Sequence, residues 1–259
     1  MTQTLQYEIN DGIAIIRFNR PEVFNSFNRE MSLGFQELLD QCAQDENVRA
    51  IYLTGNGKAF CAGQDLAEVT ASDAPFIEKI VAEHYNPIVR RIREIEKPVI
   101  CAVNGVAAGA GANIALACDI TVAVESASFI QAFSKIGLIP DSGGTFFLPK
   151  LIGFQKASAL MMLGDKVSAS DAEKLGMLYK VFNTEEFEEA SMKIASTISK
   201  MPTKGLVYTK QLLNAGITNN LNDQLDQEEK YQSMAGKTAD YKEGVQAFME
   251  KRKPEFKGK

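Results

Sequence analysis

The chain has 259 residues, a length that suits one large domain or a core with a small appendage. Its content of 45% hydrophobic and 24% charged residues is ordinary for a soluble globular protein. The net charge of −5 disfavours a nucleic-acid partner or an anionic membrane surface, because both attract basic proteins.

The ends and the cysteines of the chain limit its class further. The first ten residues are polar and predict no signal peptide, and no apolar run approaches the ~18 residues of a membrane span. We therefore expect a cytoplasmic protein that does not enter a membrane. There is one histidine, and no C-x-x-C spacing occurs among the four cysteines, so we expect reduced thiols and no metal site. The cysteines are Cys42, Cys61, Cys101 and Cys118.

Short apolar runs predict four buried strands, at residues 12–18, 49–55, 99–105 and 119–125. Apolar residues at helical spacing follow Asn28, which we predict as the N-cap of a first helix. The same spacing recurs over residues 77–95, where Pro87 should kink the helix or begin a new one. His84 lies on or beside this second apolar stripe, so we expect a packed structural histidine. The alternation over the first ~150 residues predicts an α/β layered core.

Helices predominate after residue 150, where the strand signals fade. Ser168 and Asp171 form a predicted capping box for a helix that ends at Gly176, and Thr238 begins another. We predict a core over residues 1–200 and a helical region over residues 201–259. Because so short a helical region cannot bury its apolar faces alone, we expect it to pack on the core, on a neighbouring subunit, or on both.

Three common catalytic motifs fail in this sequence. Ser142 follows Pro140-Asp141, so the G-x-S-x-G elbow of hydrolases is missing. Tyr52 occupies the place of the first glycine of a P-loop, and Ile114 that of the third glycine of a dinucleotide-binding turn. Phosphate-loop, dinucleotide and serine-hydrolase chemistry are therefore disfavoured.

Two turns built from small residues each follow a predicted buried strand, at residues 61–63 and 107–112. Their bare backbones could aim two N–H groups at one oxygen atom and form an oxyanion hole. Tight packing of helix on strand is the alternative explanation, because small residues permit it as well.

Asp141 is the one charged residue in GLIPDSGG, residues 137–144. A turn former or a helix N-cap is the favoured interpretation of these eight residues alone. A chemical role for this carboxylate depends on what surrounds it.

Three long stretches resemble the crotonase, or enoyl-CoA hydratase/isomerase, superfamily, and the resemblance covers essentially the whole chain. They are AFCAGQDL (59–66), KPVICAVNGVAAGAGANIALACD (97–119) and FSKIGLIPDSGG (133–144). The resemblance implies an α/β fold, a spiral of ββα units, followed by a C-terminal helical trimerisation region. It also implies acyl-CoA thioester substrates, a homotrimer or a dimer of trimers, and no metal or redox cofactor beyond the coenzyme A of the substrate.

The resemblance also implies roles for individual residues. By motif match, the N–H groups of Ala62 and Ala110 would hold the thioester oxygen. Asn113 and Phe133 stand where hydrating members carry glutamates, and neither can act as a general base, so hydration is disfavoured. In the isomerase and dehalogenase branches an aspartate at the position of Asp141 faces the substrate, and the absence of tryptophan disfavours the dehalogenase branch.

The stretches NGVAAGAGAN, AFSKIGLIPDSGGT and TADYKEGVQAF are similar to isomerases that rearrange the ring epoxide of an aromatic acyl-CoA to an oxepin. That similarity implies a second activity, the shift of a double bond in an unsaturated adipyl-type CoA. Asp141 would move the proton, with its pKa raised by an apolar wall of Phe133, Leu138, Ile139 and Phe146. The alternatives are an aliphatic Δ3,Δ2-enoyl-CoA isomerase of fatty-acid oxidation, an enoyl-CoA hydratase-like protein, a non-catalytic CoA-binding scaffold and an RNA-binding relative, the last disfavoured by the charge.

Candidate contacts to the substrate complete the expected site. Arg20 and the cluster at residues 250–253, with Lys251, Arg252 and Lys253, are candidates for the CoA phosphates, although a solvated tail is the favoured interpretation for any one lysine of the cluster. Residues 67–76 are expected to form a lid. The expected substrate-binding residues are Phe24, Gln64, Asp65, Leu66, Gly109, Phe133 and Ile139. For Asp65, capping of the following helix is the favoured alternative.

Overall fold

The predicted buried strands belong to a six-stranded sheet, seen in a computed structural model that describes residues 3–70 and 74–259. In spatial order its strands are β1 (Leu5–Asn10), β2 (Ile13–Phe18), β3 (Ala50–Gly55), β5 (Val99–Val103), β7 (Ile120–Val124) and β10 (Lys180–Phe182). β1 and β2 form an antiparallel hairpin, and the pairings from β2 to β10 are parallel. Every residue of β3 and β5 is buried, which explains their continuous apolar sequences.

A second sheet has four short strands, which in spatial order are β4 (Ala59–Cys61), β6 (Val106–Ala108), β8 (Ser128–Ile130) and β9 (Lys166–Ser168). β9 and β10 lie beyond residue 150, where the sequence shows no strand signal, and the predicted helical region from residue 201 contains only helices among its described elements. Each has three residues, of which only Val167 in β9 is buried, and for that reason neither produces an apolar run.

Twelve α-helices fall within the two described ranges. They are α1 (Arg29–Gln44), α2 (Leu66–Thr70), α3 (Ile77–Ile80), α4 (Asn86–Glu94), α5 (Ala110–Ala117), α6 (Gly144–Ile152), α7 (Phe154–Leu163), α8 (Ala169–Leu175), α9 (Phe187–Ser199), α10 (Thr203–Gly216), α11 (Leu221–Ala235) and α12 (Ala239–Glu250). Over these described ranges, none has the length and apolar character needed to cross a membrane.

The predicted helix starts are confirmed. Asn28 Oδ1 accepts the Met31 N–H at 2.9 Å at the start of α1. Ser168 Oγ accepts a backbone N–H at 3.1 Å at the start of α8, and Thr238 Oγ1 does the same for α12. Gly176, in the left-handed conformation, ends α8 as expected.

The helix that carries His84 changes its winding before Pro87. A π-helical turn, Val81–Tyr85, joins α3 to α4 without a break in the helix, and Pro87 follows directly after this change of winding. His84 is buried, as predicted, and its Nδ1 finds no hydrogen-bond partner in the part of the chain that the structure describes. Burial lowers the pKa of its imidazole.

The C-terminal helices pack on the core through α10. The buried Lys210 ammonium donates to Ile92 O at 2.6 Å and forms an ion pair with Asp119 at 2.8 Å. The predicted boundary at residues 200–201 falls between α9 and α10, and a division into two domains stays a prediction.

Candidate active site

The two turns of small residues meet. β4 and β6 are parallel neighbours, so the chain leaves both strands at the same edge of the small sheet. Gly63, with φ +94°, follows β4, and Gly109, with φ +53°, follows β6. A Cβ atom at Gly63 would lie 3.1 Å from Ala108 O and 3.6 Å from Ala110 N. The predicted juxtaposition of the two turns is therefore confirmed.

Ala62 does not offer its backbone N–H to a ligand. This N–H donates to Phe24 O at 3.0 Å. The prediction that Ala62 binds the thioester oxygen is therefore wrong, because its donor is already used. The hydrogen bond holds the segment after β4 against the loop that carries Phe24, a contact over almost forty residues of sequence that local motifs do not reveal.

Gln64 supplies the free N–H of this turn. Phe27 forms a bridge with Gln64 in which its N–H donates to Gly63 O at 2.7 Å and its carbonyl accepts from Asp65 N–H at 2.8 Å. A bridge of this kind uses the two neighbours of Gln64 and leaves its own N–H out of the ladder. Among the described residues, no hydrogen bond uses this N–H.

Ala110 is the second free donor. It is buried and is the first residue of α5, so its N–H is one of the groups that an α-helix leaves unpaired at its start. Within residues 3–70 and 74–259 this N–H has no acceptor. The helix dipole favours negative charge there. Close packing explains the small residues as well, because a Cβ atom at Gly111 would collide with Cys61.

Asp141 is not a helix cap. α6 begins at Gly144, its N-cap is Gly143 with φ +75°, and no described side chain caps it. The helix-cap part of the sequence interpretation of Asp141 is therefore wrong, and the turn-former part is confirmed, because Asp141 O accepts the Gly144 N–H at 2.8 Å. Its Oδ1 instead accepts a hydrogen bond from the buried Ser142 hydroxyl at 2.8 Å. Burial raises the pKa of Asp141 to about 6, although the Ser142 hydroxyl acts in the opposite direction.

The predicted apolar wall is only partly present around Asp141. Phe133 is buried, and its ring lies 3.7 Å from where a Cβ atom at Gly109 would stand, so it does border the donor turn. Ile139 is 81% exposed and Phe146 is 41% exposed, with the Lys150 ammonium 3.8 Å from the centre of the Phe146 ring. These two side chains therefore do not bury the carboxylate within a single chain.

The Gln64 side chain is held from two sides. The Tyr85 hydroxyl donates to Gln64 Oε1 at 2.6 Å, and Gln64 Nε2 donates to Glu68 Oε2 at 2.7 Å. Tyr85 is fully buried and packs edge-to-face on Phe27, with ring centres 6.0 Å apart. Burial raises the pKa of Tyr85 well above its usual value, and the nearby charges of Cys61 and Asp141 add to this.

Sequence reasoning missed Tyr85. Its position beside an apolar helical stripe is typical of a core residue. The π-helical turn that carries it leaves no mark in the apolar spacing; the signal that could have found it is the proline two residues later.

Several predicted contact residues have structural partners. Arg20 forms an ion pair with Asp65 at 2.8 Å and donates to Ser26 O at 2.7 Å, so part of its guanidinium is already used and its contact with a CoA phosphate stays a prediction. The predicted cap at Asp65 is confirmed, because its Oδ1 accepts the Ala67 N–H at 2.9 Å. Arg252 is paired with Glu243 and Glu250, each at 2.6 Å.

The remaining candidates stay predictions. Phe24 and Leu66 are 53% and 61% exposed and are free to meet a ligand beside the donor turn. Lys251 and Lys253 are exposed at the end of α12. Of the predicted lid, residues 67–70 lie in α2, and residues 71–73 lie outside the described residues.

Known proteins resemble this chain over its whole length. A 1,2-epoxyphenylacetyl-CoA isomerase of Escherichia coli (strain K12) is 46% identical over 262 residues, covering 100% of both chains. A protein of Rhodobacter capsulatus described as a probable enoyl-CoA hydratase is 40% identical and covers 99% of this chain and 98% of its own. The crystal structure of an enoyl-CoA hydratase from Bacillus anthracis superposes with a TM-score of 0.95 at 33% identity, covering 99% and 100% of the two chains.

The sequence profile of the enoyl-CoA hydratase/isomerase family matches residues 8–259. This match and the superposition confirm the predicted fold, a mixed α/β core with parallel sheets and a C-terminal helical region. The chain is therefore an enzyme of the enoyl-CoA hydratase/isomerase, or crotonase, family.

Proposed function

We propose that this enzyme is an acyl-CoA isomerase that converts ring-1,2-epoxyphenylacetyl-CoA to the seven-membered oxepin-CoA. One observation carries the proposal: within residues 3–70 and 74–259, Asp141 is the carboxylate with a raised pKa, and it is combined with two N–H groups that have no acceptor there, those of Gln64 and Ala110. The identity of 46% to the isomerase of Escherichia coli supports the choice of substrate. A shift of a double bond in an unsaturated adipyl-type CoA uses the same chemistry and is part of the proposal.

The reaction moves one proton and changes no atom count. Asp141 takes a proton from the carbon alpha to the thioester, and the electron pair of that C–H bond forms an enolate. The N–H groups of Gln64 and Ala110 donate to the enolate oxygen, and each such donor contributes about 10²–10³ in rate. As the C–C bond shared by the epoxide and the six-membered ring opens, Asp141 returns the proton to another carbon.

The raised pKa suits Asp141 to both steps. With a pKa of about 6 the carboxylate is mostly ionised at neutral pH and is a stronger base than an ordinary aspartate. The same shift lets it hold the proton between the two steps. An isomerisation of this kind is redox-neutral, so we propose that the enzyme uses no redox cofactor and no metal.

Addition of water to an enoyl-CoA is disfavoured because no described side chain near Asp141 is available as a second general base. Asn113 is fully buried, Phe133 is apolar, and neither can activate water. The nearby carboxylates have other partners, since Asp65 pairs with Arg20 and Glu68 accepts from Gln64. A second general base for water is therefore lacking among these residues.

We also propose that the chain assembles through its helical region as a homotrimer or a dimer of trimers. Support comes from α12, where Phe248 is 83% exposed and Met249 is 76% exposed. Such large apolar side chains gain from being covered by a neighbouring subunit.

The proposal is tested with three substrates offered side by side: ring-epoxidised phenylacetyl-CoA, a 3-enoyl-CoA and a 2-enoyl-CoA. Liquid chromatography with mass detection then separates isomers from hydrated products. We expect isomers of unchanged mass from the epoxide, and no gain of water by the 2-enoyl-CoA. Turnover of the 2-enoyl-CoA alone, with addition of water, would overturn the proposal.

A further inference from the structure

Helix α5 connects the two halves of the proposed site. Its first residue, Ala110, carries one of the free N–H groups, and Asn113 follows about one turn later. Asn113 is fully buried, with no exposed side-chain surface. It therefore cannot touch a substrate, and any influence on the reaction has to pass through its neighbours.

Both polar atoms of the Asn113 side chain are engaged. Its Nδ2 donates to Asp141 O at 2.9 Å, and its Oδ1 accepts from Gln131 Nε2 at 2.8 Å. The amide has one satisfactory orientation, because turning it over would set oxygen against oxygen and nitrogen against nitrogen. Gln131 is itself buried, so this arrangement is shielded from water.

The turn that carries Asp141 depends on such support. Ser142 and Gly143 both have left-handed backbone conformations, with φ +52° and +75°, and for serine that conformation is unfavourable. Asp141 O also accepts the Gly144 N–H at 2.8 Å, which closes the turn. Gly144 packs so closely on Asn113 that a Cβ atom there would collide with its amide.

We propose that Asn113 is a positioning residue, which fastens the turn of Asp141 to α5 and so fixes the separation between the Asp141 carboxylate and the Ala110 N–H. The inference rests on the proposed function, in which these two groups act on the same substrate. Enolate formation needs the base and the donor in a set mutual geometry, and a displacement of about 1 Å can cost ~10² in rate. The buried Asn113 amide would thus hold the Asp141 carboxylate at a fixed distance from the Ala110 N–H.

The substitution Asn113→Leu tests this, because leucine has a similar volume and no donor. Exchange of the alpha protons of phenylacetyl-CoA in deuterated water reports the base, and a ¹³C NMR titration of labelled aspartate reports the pKa of Asp141. We expect kcat for exchange to fall ~10–100-fold with KM changed less than ~3-fold. We also expect the pKa of Asp141 to fall from about 6 towards the ordinary aspartate value, since a loosened turn admits water.

Asn214→Leu is the matched control. Asn214 lies in α10, and its Nδ2 donates to Arg93 O at 3.0 Å, so the substitution removes the same kind of hydrogen bond outside the site. We expect this control to exchange protons as the unchanged protein does. If Asn113→Leu matched the control in both exchange and Asp141 titration, the positioning role would be refuted.

A second variant guards against a failure to fold. In Gly144→Ala the added methyl group would collide with the Asn113 amide and displace it. We therefore expect the same fall in the exchange rate and in the pKa of Asp141 as for Asn113→Leu. If Gly144→Ala exchanged alpha protons at the rate of the unchanged protein and left the Asp141 titration unchanged, the positioning role would again be refuted. A lack of exchange in the unchanged protein would count against the proposed function, and the titrations of Asp141 would still decide whether Asn113 holds the turn.

Discussion

The half-buried carboxylate of Asp141 should lower the free energy of unfolding at neutral pH. Its pKa rises from 3.8 to about 6 on folding, mainly because burial disfavours the charged form. A folded-state pKa above the unfolded value favours folding only while the group is protonated, so the penalty grows as the pH rises from about 4 through about 6. At 1.36 kcal/mol per pKa unit, the penalty reaches a ceiling of about 3 kcal/mol above pH 7.

The substitution Asp141→Asn removes this charge and retains an acceptor for the Ser142 hydroxyl. We expect the free energy of unfolding to increase by up to ~3 kcal/mol at pH 8 and by about half as much at pH 5. Urea denaturation at the two pH values, at equal protein concentration, measures the difference. Asp11→Asn is the control, because Asp11 is exposed between β1 and β2 in a left-handed conformation that asparagine tolerates.

The control measures what the loss of an exposed carboxylate does at each pH, and the effect of Asp141→Asn is taken relative to it. If Asp141→Asn left the free energy of unfolding unchanged or lower at pH 8, the carboxylate would not be desolvated. The argument for Asp141 as a strengthened base would then fail with it.

Three further outcomes are expected. The value of kcat/KM should rise with pH through about 6 and then level off, because Asp141 acts as a base only when ionised; a flat profile from pH 5 to pH 8 would contradict this. Tyr85→Phe removes the donor to the Gln64 side chain and should lower the free energy of unfolding by ~1 kcal/mol and kcat/KM by ~10-fold. Urea titrations and steady-state rates measure the two effects, and the control Tyr208→Phe, in α10, should change neither. Replacing the backbone amide of Gln64 by an ester should lower kcat by ~10²–10³, and the same change at Ala62 should mainly lower stability; the reverse order would restore Ala62 as the donor.

The sequence predicts the parts of the fold whose cause is local. The runs that became β3 and β5 are continuously apolar because both faces of these strands are covered. Asn28 and Thr238 cap their helices through N–H groups three residues away. The strands β9 and β10 could not be predicted in this way, because three half-exposed residues carry no periodic pattern.

The details of the site depend on contacts between distant parts of the chain. The shift of the donor from Ala62 to Gln64 follows from pairing with Phe24 and Phe27, and the motif alone does not contain that pairing. Arg20 was assigned to a phosphate because its partner, Asp65, is 45 residues away. The two turns and their meeting point could be predicted, because neighbouring parallel strands end at one edge of a sheet.

Asp141 shows the same division. Its importance could be inferred from the family resemblance, because Asn113 and Phe133 stand where hydrating members carry acids. Its place in a turn could be predicted from local propensity, whereas the hydrogen bond from Asn113 in α5 to this turn could not. The predicted helix cap is wrong, because α6 begins three residues later.

Conversion of ring-1,2-epoxyphenylacetyl-CoA by the unchanged enzyme and by Asp141→Asn tests the central claim most directly. The two rates should be compared at pH 8, where both proteins are expected to be folded. The account predicts that the unchanged enzyme forms oxepin-CoA and that the variant does so ~10²–10⁴-fold more slowly, the usual loss when a general base is removed. Near-equal rates of oxepin-CoA formation by the two proteins would contradict it.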